Sequence, residues 1–471
     1  MSQNLSHSTP DDTGEVRRFA HVMPLAFVNY ALAYLDRVNF GYAQRGGAMS
    51  ATLHLSPNMG PFLSSSFFIG YCLLQIPSAM FAAKRQKVKW FIFWALLLWG
   101  CLSGLTGIIT SVPLLIALRI SLGAVEGIVL PVMLIYLTKW FTRPERSRSN
   151  AILMLANPVT MTVASAVCLT LITYFNSHRI GGFEGWQMMF IIEGLPSIVW
   201  AFIWLRLADE TPADARWMTP REATTVVAML DKEQRTIPKM GNFWTAFLNP
   251  SVLLIAGMFM CLNAASYGMS MWLPVIVEKG ALLVYHSPAA VSWGLTLAAT
   301  AGLLTTVPYF ISIFTSLGVA WMSDRSLRRK RYVVGSMFVG SAAYILAYIA
   351  VAHVHAELES FLIAFLGLIV AGSCIYTPTA PNWAWLAEIL PRNVVGESMA
   401  LVNTFGALGG LLGTNLVGML VAHLHSNNAA FVFLACAFGM AGVLGSLVRS
   451  VPRPEQRGLE GIATAAIAGK A

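Results

Sequence analysis

The sequence predicts an all-α membrane protein with twelve transmembrane helices, arranged as two six-helix bundles that repeat one another. Of its 471 residues, 56% are hydrophobic and only 11% are charged. A soluble globular domain has about 25% charged residues, so this chain has too few charges to cover a water-exposed surface of its size. Apolar runs of about 20 residues, the length that spans a bilayer, recur along the whole chain. This composition excludes a cytosolic enzyme, a nucleic-acid-binding protein and a disordered protein.

The apolar runs divide into two sets of six. The longest interior polar stretch, residues 208–247, separates the sets and is predicted to be a linker. Apolar residues interspersed with charges from Pro220 to Arg235 predict a short surface helix within it. The runs lie at about 19–44, 60–82, 90–110, 112–138, 149–175, 186–207, 248–277, 288–322, 332–353, 360–386, 395–423 and 429–449. The predicted domains are an N-terminal tail (1–18), a first bundle (19–207), the linker (208–247), a second bundle (248–450) and a C-terminal tail (451–471).

Basic residues predict the orientation in the membrane. If both termini are cytoplasmic, 26 of the 31 Lys and Arg residues lie in cytoplasmic loops and tails, and 3 lie in loops on the other side. This asymmetry follows the positive-inside rule, and it also explains the net charge of +9 without a nucleic-acid partner. We therefore expect a multi-pass protein of the inner membrane with both termini in the cytoplasm.

The histidines and cysteines are not placed where a membrane-embedded enzyme would need catalytic residues or metal ligands. All nine histidines lie in tails, loops or run ends, whereas a membrane-embedded enzyme needs a nucleophile–base set or metal ligands at membrane depth. The six cysteines each stand alone inside an apolar run, and no pair has metal-ligand or redox spacing. We predict free thiols packed in the core, no metal site, no cofactor and no enzymatic activity.

Four ionisable residues lie well inside apolar runs, all in the first half: Asp36, Arg37, Arg119 and Glu126. A charge at the centre of a membrane helix costs roughly 2.5–3.5 kcal/mol on insertion scales, so such residues usually have a function. Arg119 and Glu126 are two helical turns apart on one face, about 10 Å along the axis. Glu193 was expected nearer the outer end of its run, where a charge is less unusual.

The adjacent residues Asp36 and Arg37 point about 100° apart on a helix, so they face different surroundings. The face of Arg37 also carries Tyr30 and Tyr34. A guanidinium fork suits a carboxylate or phosphate. A buried carboxyl beside an arginine is suited to exchange a proton. The alternative is that these groups form buried ion pairs that only fix helix packing.

Polar residues in other runs are candidates for contacts to a hydroxylated ligand. We expect Asn157, Tyr267, Trp383 and Asn403 to line a binding site together with Arg37, Tyr30 and Tyr34. Hydrogen bonding between helices is the alternative for each of them.

Several segments resemble one known family. They read YLDRVNFGYA at 34–43, RISLGAVE at 119–126, YLTKWF at 136–141, GWQ at 185–187, FIIEGLP at 190–196 and WLP at 272–274. On these residues the chain resembles the major facilitator superfamily, and within it the anion:cation symporter family. The resemblance implies proton-driven symport of a small organic anion by alternating access, with no cofactor and with a monomer sufficient for the mechanism.

The resemblance also implies residue roles. Asp36 and Glu126 match protonation sites, Arg119 matches the arginine that couples to them, Arg37 matches the carboxylate-binding residue, and Asn403 matches a polar substrate contact. The expected substrate is a sugar acid or hydroxy-carboxylate. The alternatives are an aromatic acid of the phthalate or hydroxyphenylacetate type and, on the same fold, a non-transporting nutrient sensor.

The chain departs from the family in one cytoplasmic loop motif. Ala83 stands where the motif after the second run has an aspartate, and Ala79 replaces a glycine. The second copy of the motif retains Asp324 and Arg325, so we expect gating at this face to depend on these two residues.

Overall fold

The computed structural model describes residues 13–448 except 45–46, 57–58, 86, 236–248, 286–290, 293–294, 327, 390–394 and 425–427. Helices make up nearly all of these residues, as the sequence predicts. Of the described residues, only a two-residue antiparallel pair, β1 (Val291–Ser292) and β2 (Leu295–Thr296), is assigned to strands.

The first bundle is followed by a short surface segment. The 3₁₀ turn Pro212–Asp214 and the helix α10 (Pro220–Arg235) follow the bundle, and α10 is the surface helix predicted from the sequence. The helices of the bundle are α1 (Glu15–Ala43), α2 (Ala48–Thr52), α3 (Met59–Arg85), α4 (Val88–Ile108), α5 (Val112–Glu126), α6 (Val129–Thr138), α7 (Arg143–Met154), α8 (Ala156–Ser177) and α9 (Gly185–Leu207).

The second bundle also consists of long helices. Its helices are α11 (Pro250–Tyr285), α12 (Leu297–Ser326), α13 (Arg329–His353), α14 (Glu357–Tyr376), α15 (Thr379–Ile389), α16 (Val395–Leu424) and α17 (Asn428–Leu447).

The helices account for twelve spans. Ten stretches of the described chain are long and apolar enough to cross a membrane. Three of these contain an interrupted helix: α5 with α6, α7 with α8, and α14 with α15. Helices α1 and α3, with 29 and 27 residues, supply the other two spans, because 20 residues suffice at 1.5 Å per residue.

The lipid-facing surface is apolar. Large side chains such as Trp94, Phe202, Phe314 and Leu366 are more than half exposed, which a bilayer satisfies and water does not. The cysteine prediction is partly wrong at this surface. Cys101 and Cys436 are exposed, whereas Cys168 and Cys374 are buried as expected, and all six are free thiols.

Helices α3 and α5 touch through their backbones. A Cβ atom added at Gly123 would lie 1.8 Å from the carbonyl oxygen of Phe67, and one at Gly70 would lie 1.8 Å from that of Ile120. Small residues permit this approach between membrane helices. The contact fixes α5, which carries Arg119 and Glu126, against the aromatic side chains of α3.

Candidate functional site

A cavity of about 70 Å³ lies between the two halves of the chain. Its walls combine apolar and aromatic side chains with a few polar groups, which is the usual lining of a small-molecule site. Every sequence-predicted binding residue lines it. The first half contributes Tyr30, Tyr34, Arg37, Phe68, Tyr71, Leu130, Met154 and Asn157; the second contributes Phe259, Leu262, Asn263, Ser266, Tyr267, Ile375, Tyr376, Thr379, Trp383, Asn403, Gly406 and Ala407.

Arg37 is the cationic group of this cavity. Its Nη1 donates a hydrogen bond of 3.1 Å to the hydroxyl of Tyr267, and its side chain is only 6% exposed. Its guanidinium lies 4.7 Å from the ring centroid of Tyr71 and 5.4 Å from that of Tyr34, within the range of cation–π attraction. Aromatic rings therefore hold the guanidinium at the cavity wall, as the tyrosines on its helix face predict.

Two polar contacts join the halves across the cavity. One is the hydrogen bond from Arg37 to Tyr267, and the other links the hydroxyls of Tyr34 and Tyr376 at 3.0 Å. Both use side chains of α1 on one side and of α11 or α14 on the other. The cavity is thus bridged by groups that a polar ligand would also contact.

Glu126 lies behind Arg37, away from the cavity. Its Oε2 is 3.5 Å from Nη2 of Arg37, and the side chain is fully buried. This contact is an ion pair, because neither Glu126 oxygen has a partner in hydrogen-bond geometry within the described chain. The sequence places Glu126 on the same helix face as Arg119, but the ion pair of Glu126 in the described chain is with Arg37 of α1.

Arg119 is buried among aromatic rings. Its guanidinium lies 4.4 Å from the ring centroid of Phe40 and 5.2 Å from that of Phe67. Its Nε and Nη1 have no hydrogen-bond partner among the described residues. The side chain thus provides a buried positive charge between helices, in keeping with the position predicted for it.

Asp36 points into the first bundle rather than into the cavity. Its Oδ1 accepts hydrogen bonds from Ser103 at 2.5 Å and from Nδ2 of Asn39 at 2.9 Å. Its Oδ2 has no partner in the described structure. The adjacent side chains of Asp36 and Arg37 therefore lie in different surroundings, the bundle interior and the cavity wall, as their angular separation on the helix predicts.

Glu193 is the ninth of the 23 residues of α9, nearer the end at Gly185. Its side chain is buried in the bundle, 6% exposed, and its Oε2 accepts a hydrogen bond of 3.0 Å from the same Asn39 Nδ2 that contacts Asp36. Cys168 donates to its other oxygen, with Sγ 3.0 Å from Oε1. The sequence analysis named this glutamate but gave it no role; the available signal was a carboxyl inside an apolar run.

The predicted gating pair lies apart from the cavity. Oδ1 of Asp324 contacts Nη1 of Arg329 at 2.6 Å, and the Arg325 guanidinium lies 5.4 Å from the ring centroid of Trp321. Both contacts stay within the second half. The side chains of Ala79 and Ala83 lie outside the described residues, so the gating role stays a prediction.

The fold defines a membrane carrier built from two helical bundles, and the described residues enclose a cavity between them. The sequence profile of the Major Facilitator Superfamily matches residues 26–300 and 285–467. The chain belongs to this superfamily. Its members are transporters, and the chain is not an enzyme.

Curated relatives match almost the full length of the chain. One is named "Putative tartrate transporter", from Agrobacterium vitis; it is 26% identical and covers 92% of this chain and 90% of its own. Another is the inner membrane transport protein RhmT of Escherichia coli, 26% identical over 91% of this chain and 92% of its own. A quinolone resistance transporter of Acinetobacter baumannii is 25% identical over 88% and 90%.

Solved structures show the same fold. The xylose transporter XylE from E. coli, in an inward open conformation, superposes with a TM-score of 0.67 at 15% identity, covering 93% of this chain and 97% of that chain. A bacterial homologue of the human lysosomal transporter Spinster superposes with a TM-score of 0.63 at 17% identity, covering 92% and 95%. These likenesses establish the two-bundle architecture.

Proposed function

We propose that this protein is a secondary active transporter that takes up a small organic anion together with protons, by alternating access. The observation that carries the proposal is the position of Arg37. It presents a buried guanidinium to the cavity, while its opposite side contacts the buried carboxyl of Glu126. A carrier that couples an anion to protons needs a cation that binds the anion. It also needs a titratable acid that competes with the anion for that cation.

The cavity favours an anion with one carboxylate and several hydroxyls. Arg37 is the single cationic side chain among the described lining residues, and its fork suits one carboxylate. Around it, the lining offers the hydroxyls of Tyr30, Tyr34 and Tyr267 and the amides of Asn157 and Asn403. This set of donors and acceptors fits a sugar acid or hydroxy-carboxylate. Tartrate, for which a relative is named, shares the hydroxyls but has a second carboxylate.

Competition at Arg37 supplies the coupling. A substrate carboxylate on Arg37 would place a second negative charge beside Glu126. Protonating Glu126 removes that repulsion and leaves the guanidinium to the substrate. Linkage makes the effect reciprocal, so the bound anion raises proton affinity by the factor by which the proton raises anion affinity.

The bridging contacts indicate how the cavity changes access. Arg37 to Tyr267 and Tyr34 to Tyr376 are the polar links across the site, and a ligand that takes their hydrogen-bonding groups loosens the link between halves. Rocking of one bundle against the other around a central site is the general mechanism of such carriers. The proposal places the protein in the inner membrane as a monomer, with both termini and the gating pair Asp324 and Arg325 on the cytoplasmic side.

An aromatic acid is the second candidate substrate. Eight of the lining side chains are aromatic, including Phe68, Tyr71, Phe259 and Trp383, which offer flat faces to a ring. Such faces bind aromatic groups in offset or edge-to-face arrangements. The two candidates differ in which anions compete for the same site.

Uptake into proteoliposomes tests the proposal. With the outside acidic, we expect gluconate or 4-hydroxyphenylacetate to accumulate above its outer concentration, and a protonophore to abolish the accumulation. Tartrate, glucarate and phthalate, as dicarboxylates, are expected to compete less well. Binding of an anion without flux would favour the sensor, and accumulation unaffected by the protonophore would overturn proton coupling.

A further inference from the structure

We infer that Glu193 is a third proton-exchanging carboxyl of the carrier, held in one unit with Asp36 by the side chain of Asn39. The inference deepens the proposed function and rests on it for the transport step alone. It adds a residue that the sequence interpretation set aside.

The contacts around Glu193 define a buried acid pair. Nδ2 of Asn39 lies 2.9 Å from Oδ1 of Asp36 and 3.0 Å from Oε2 of Glu193, so its two hydrogens serve one carboxyl each. Both carboxyl side chains are buried, at 4% and 6% exposure. An ionised carboxylate in such surroundings needs compensation, because burial away from water disfavours the charged form.

The charged and titratable groups that face this pair come from each neighbouring helix. Helix α1 contributes Asp36 itself, α8 contributes the thiol of Cys168, and α5 contributes Arg119, which interacts with the Asp36 carboxyl of the pair. Helix α4 contributes the hydroxyl of Ser103 and closes on α9 through Gly100, whose carbonyl oxygen would lie 2.5 Å from a Cβ at Gly194. None of the ion pairs found in the described structure includes Glu193.

Counting charges shows that the buried cluster holds one acid more than it has cations. The cluster around Arg37 and Asp36 holds two guanidiniums, of Arg37 and Arg119, against three carboxyls, of Asp36, Glu126 and Glu193. The buried Arg18, at the start of α1, is paired with Glu145 and is not part of this cluster. With every group ionised the cluster has one negative charge in excess. Neutrality in a low-dielectric interior then requires one bound proton.

A bound anion adds one negative charge to this count. With a monocarboxylate on Arg37, neutrality requires two protons, one more than the empty cluster holds. In Glu193→Gln the same count gives no proton in the empty cluster and one proton with the anion bound. The variant therefore holds one proton fewer than the wild type in both states.

The first experiment needs no transport. Infrared difference spectra of the purified full chain, between about pH 5 and pH 9, report the C=O stretch of protonated buried carboxyls. We expect E193Q to lose a titrating band that Cys168→Ser and Glu193→Asp both retain. A band set unchanged in E193Q would overturn the inference whether or not the protein transports anything.

The second experiment counts the protons that the cluster holds. Wild type, E193Q and E193D are titrated between about pH 5 and pH 9 in weakly buffered solution with a pH dye, with and without gluconate or 4-hydroxyphenylacetate, whichever the wild type accumulates. We expect E193Q to release about one proton fewer per chain than the wild type in both conditions, as the charge count requires, and E193D to release the wild-type number. Equal proton counts in wild type and E193Q would overturn the inference, and so would an anion-free wild type whose buried carboxyls release no proton, even if E193Q fails to fold.

The two proposals fail in different ways. A titrating Glu193 band in a protein that accumulates no anion would refute the proposed transport and leave the assignment of Glu193 standing. Proton-driven accumulation with equal proton counts in wild type and E193Q would do the reverse.

Discussion

The two halves of the molecule share an architecture but differ in what they bury. The first half buries Asp36, Arg119, Glu126 and Glu193, and it supplies Arg37 to the cavity. The buried polar side chains described in the second half include no charged residue; they are serines, threonines and an asparagine. The second half supplies neutral groups to the cavity, such as Tyr267, Trp383 and Asn403.

This difference shows that the first bundle supplies the charged groups of the cavity and its surroundings, whereas the second bundle supplies neutral side chains. Charged groups inside a membrane protein stabilise one another when they are close together, and spreading them over two moving bodies would break their pairing at each conformational change. Keeping them in one bundle preserves their mutual compensation. The other wall contributes the neutral polar and aromatic groups that shape the cavity.

The largest effect is expected for Arg37→Lys. Lysine keeps the positive charge but lacks the planar fork, so it cannot hold a carboxylate through two parallel hydrogen bonds. A charge-assisted hydrogen bond contributes about 1.5–3 kcal/mol, so we expect anion affinity to fall by roughly tenfold to a hundredfold. Equilibrium binding measures the fall, with the exposed Arg328→Lys as control. Unchanged affinity would show that the anion docks elsewhere.

The next effect concerns coupling rather than binding. Glu126→Gln is expected to retain anion exchange between loaded vesicles while losing accumulation driven by a pH gradient, because the amide cannot release a proton. Counterflow and gradient-driven uptake measured on the same preparation separate the two activities. Glu359→Gln, at an exposed position at the start of α14, is the matched control. Normal accumulation by E126Q would remove Glu126 from the coupling mechanism.

A smaller effect is expected on the opposite wall. Trp383→Leu and Asn403→Ala remove an aromatic face and a neutral amide, and a neutral hydrogen bond contributes only about 0.5–1.5 kcal/mol. We expect KM to rise by roughly threefold to tenfold, differently for gluconate and 4-hydroxyphenylacetate, with the pH profile unchanged. A shifted pH profile in either variant would break the division between the two halves.

The smallest effect on transport is expected where α1 meets α7. Two guanidinium nitrogens of the buried Arg18 contact Glu145, at 2.6 and 3.1 Å. Partial burial acts to raise the pKa of Glu145, but hydrogen bonds from Arg18 and Thr142 outweigh it and leave the pKa below the ordinary range of a glutamate. The pair therefore stabilises the fold above the unfolded pKa of about 4.3, and the contribution is lost as the pH falls below that value.

Glu145→Gln tests this contribution. We expect the apparent Tm in detergent to fall by a few degrees at neutral pH, and the difference from wild type to shrink as the pH is lowered through about 4. Lys330→Gln is the comparison in the second half, where a half-buried lysine donates to the carbonyls of Ser446 and Val448. A pH-independent difference for E145Q would contradict the assigned cause.

Much of the fold and of the charged site could be predicted because lipid penalises polar groups so strongly. Twelve apolar runs marked the spans, and the cost of a buried charge singled out Asp36, Arg37, Arg119 and Glu126. The partners of these charges could not be read in the same way. Arg119 and Glu126 share a helix face, yet the ion pair of Glu126 is with Arg37, because pairing depends on how helices pack.

Glu193 shows the same limit in another form. Its distance along an apolar run placed it toward one end, but its depth in the bundle depends on the packing of α9 against α4 and α8. Cys101 and Cys436 were expected in the core and face outward, because an apolar run does not reveal which of its faces meets lipid. The residue type predicted what each side chain can do chemically, but only the packing of the helices determined which neighbour it faces.

The backbone contact between α3 and α5 has a consequence for how this carrier can diversify. Gly70 and Gly123 leave no room for a side chain, so the backbones of α3 and α5 are in direct contact. This contact holds Phe67 of α3 in a fixed position relative to Arg119 and Glu126 of α5. Substitutions on the facing wall can therefore alter the shape of the cavity, while the charged residues of the first bundle keep their arrangement.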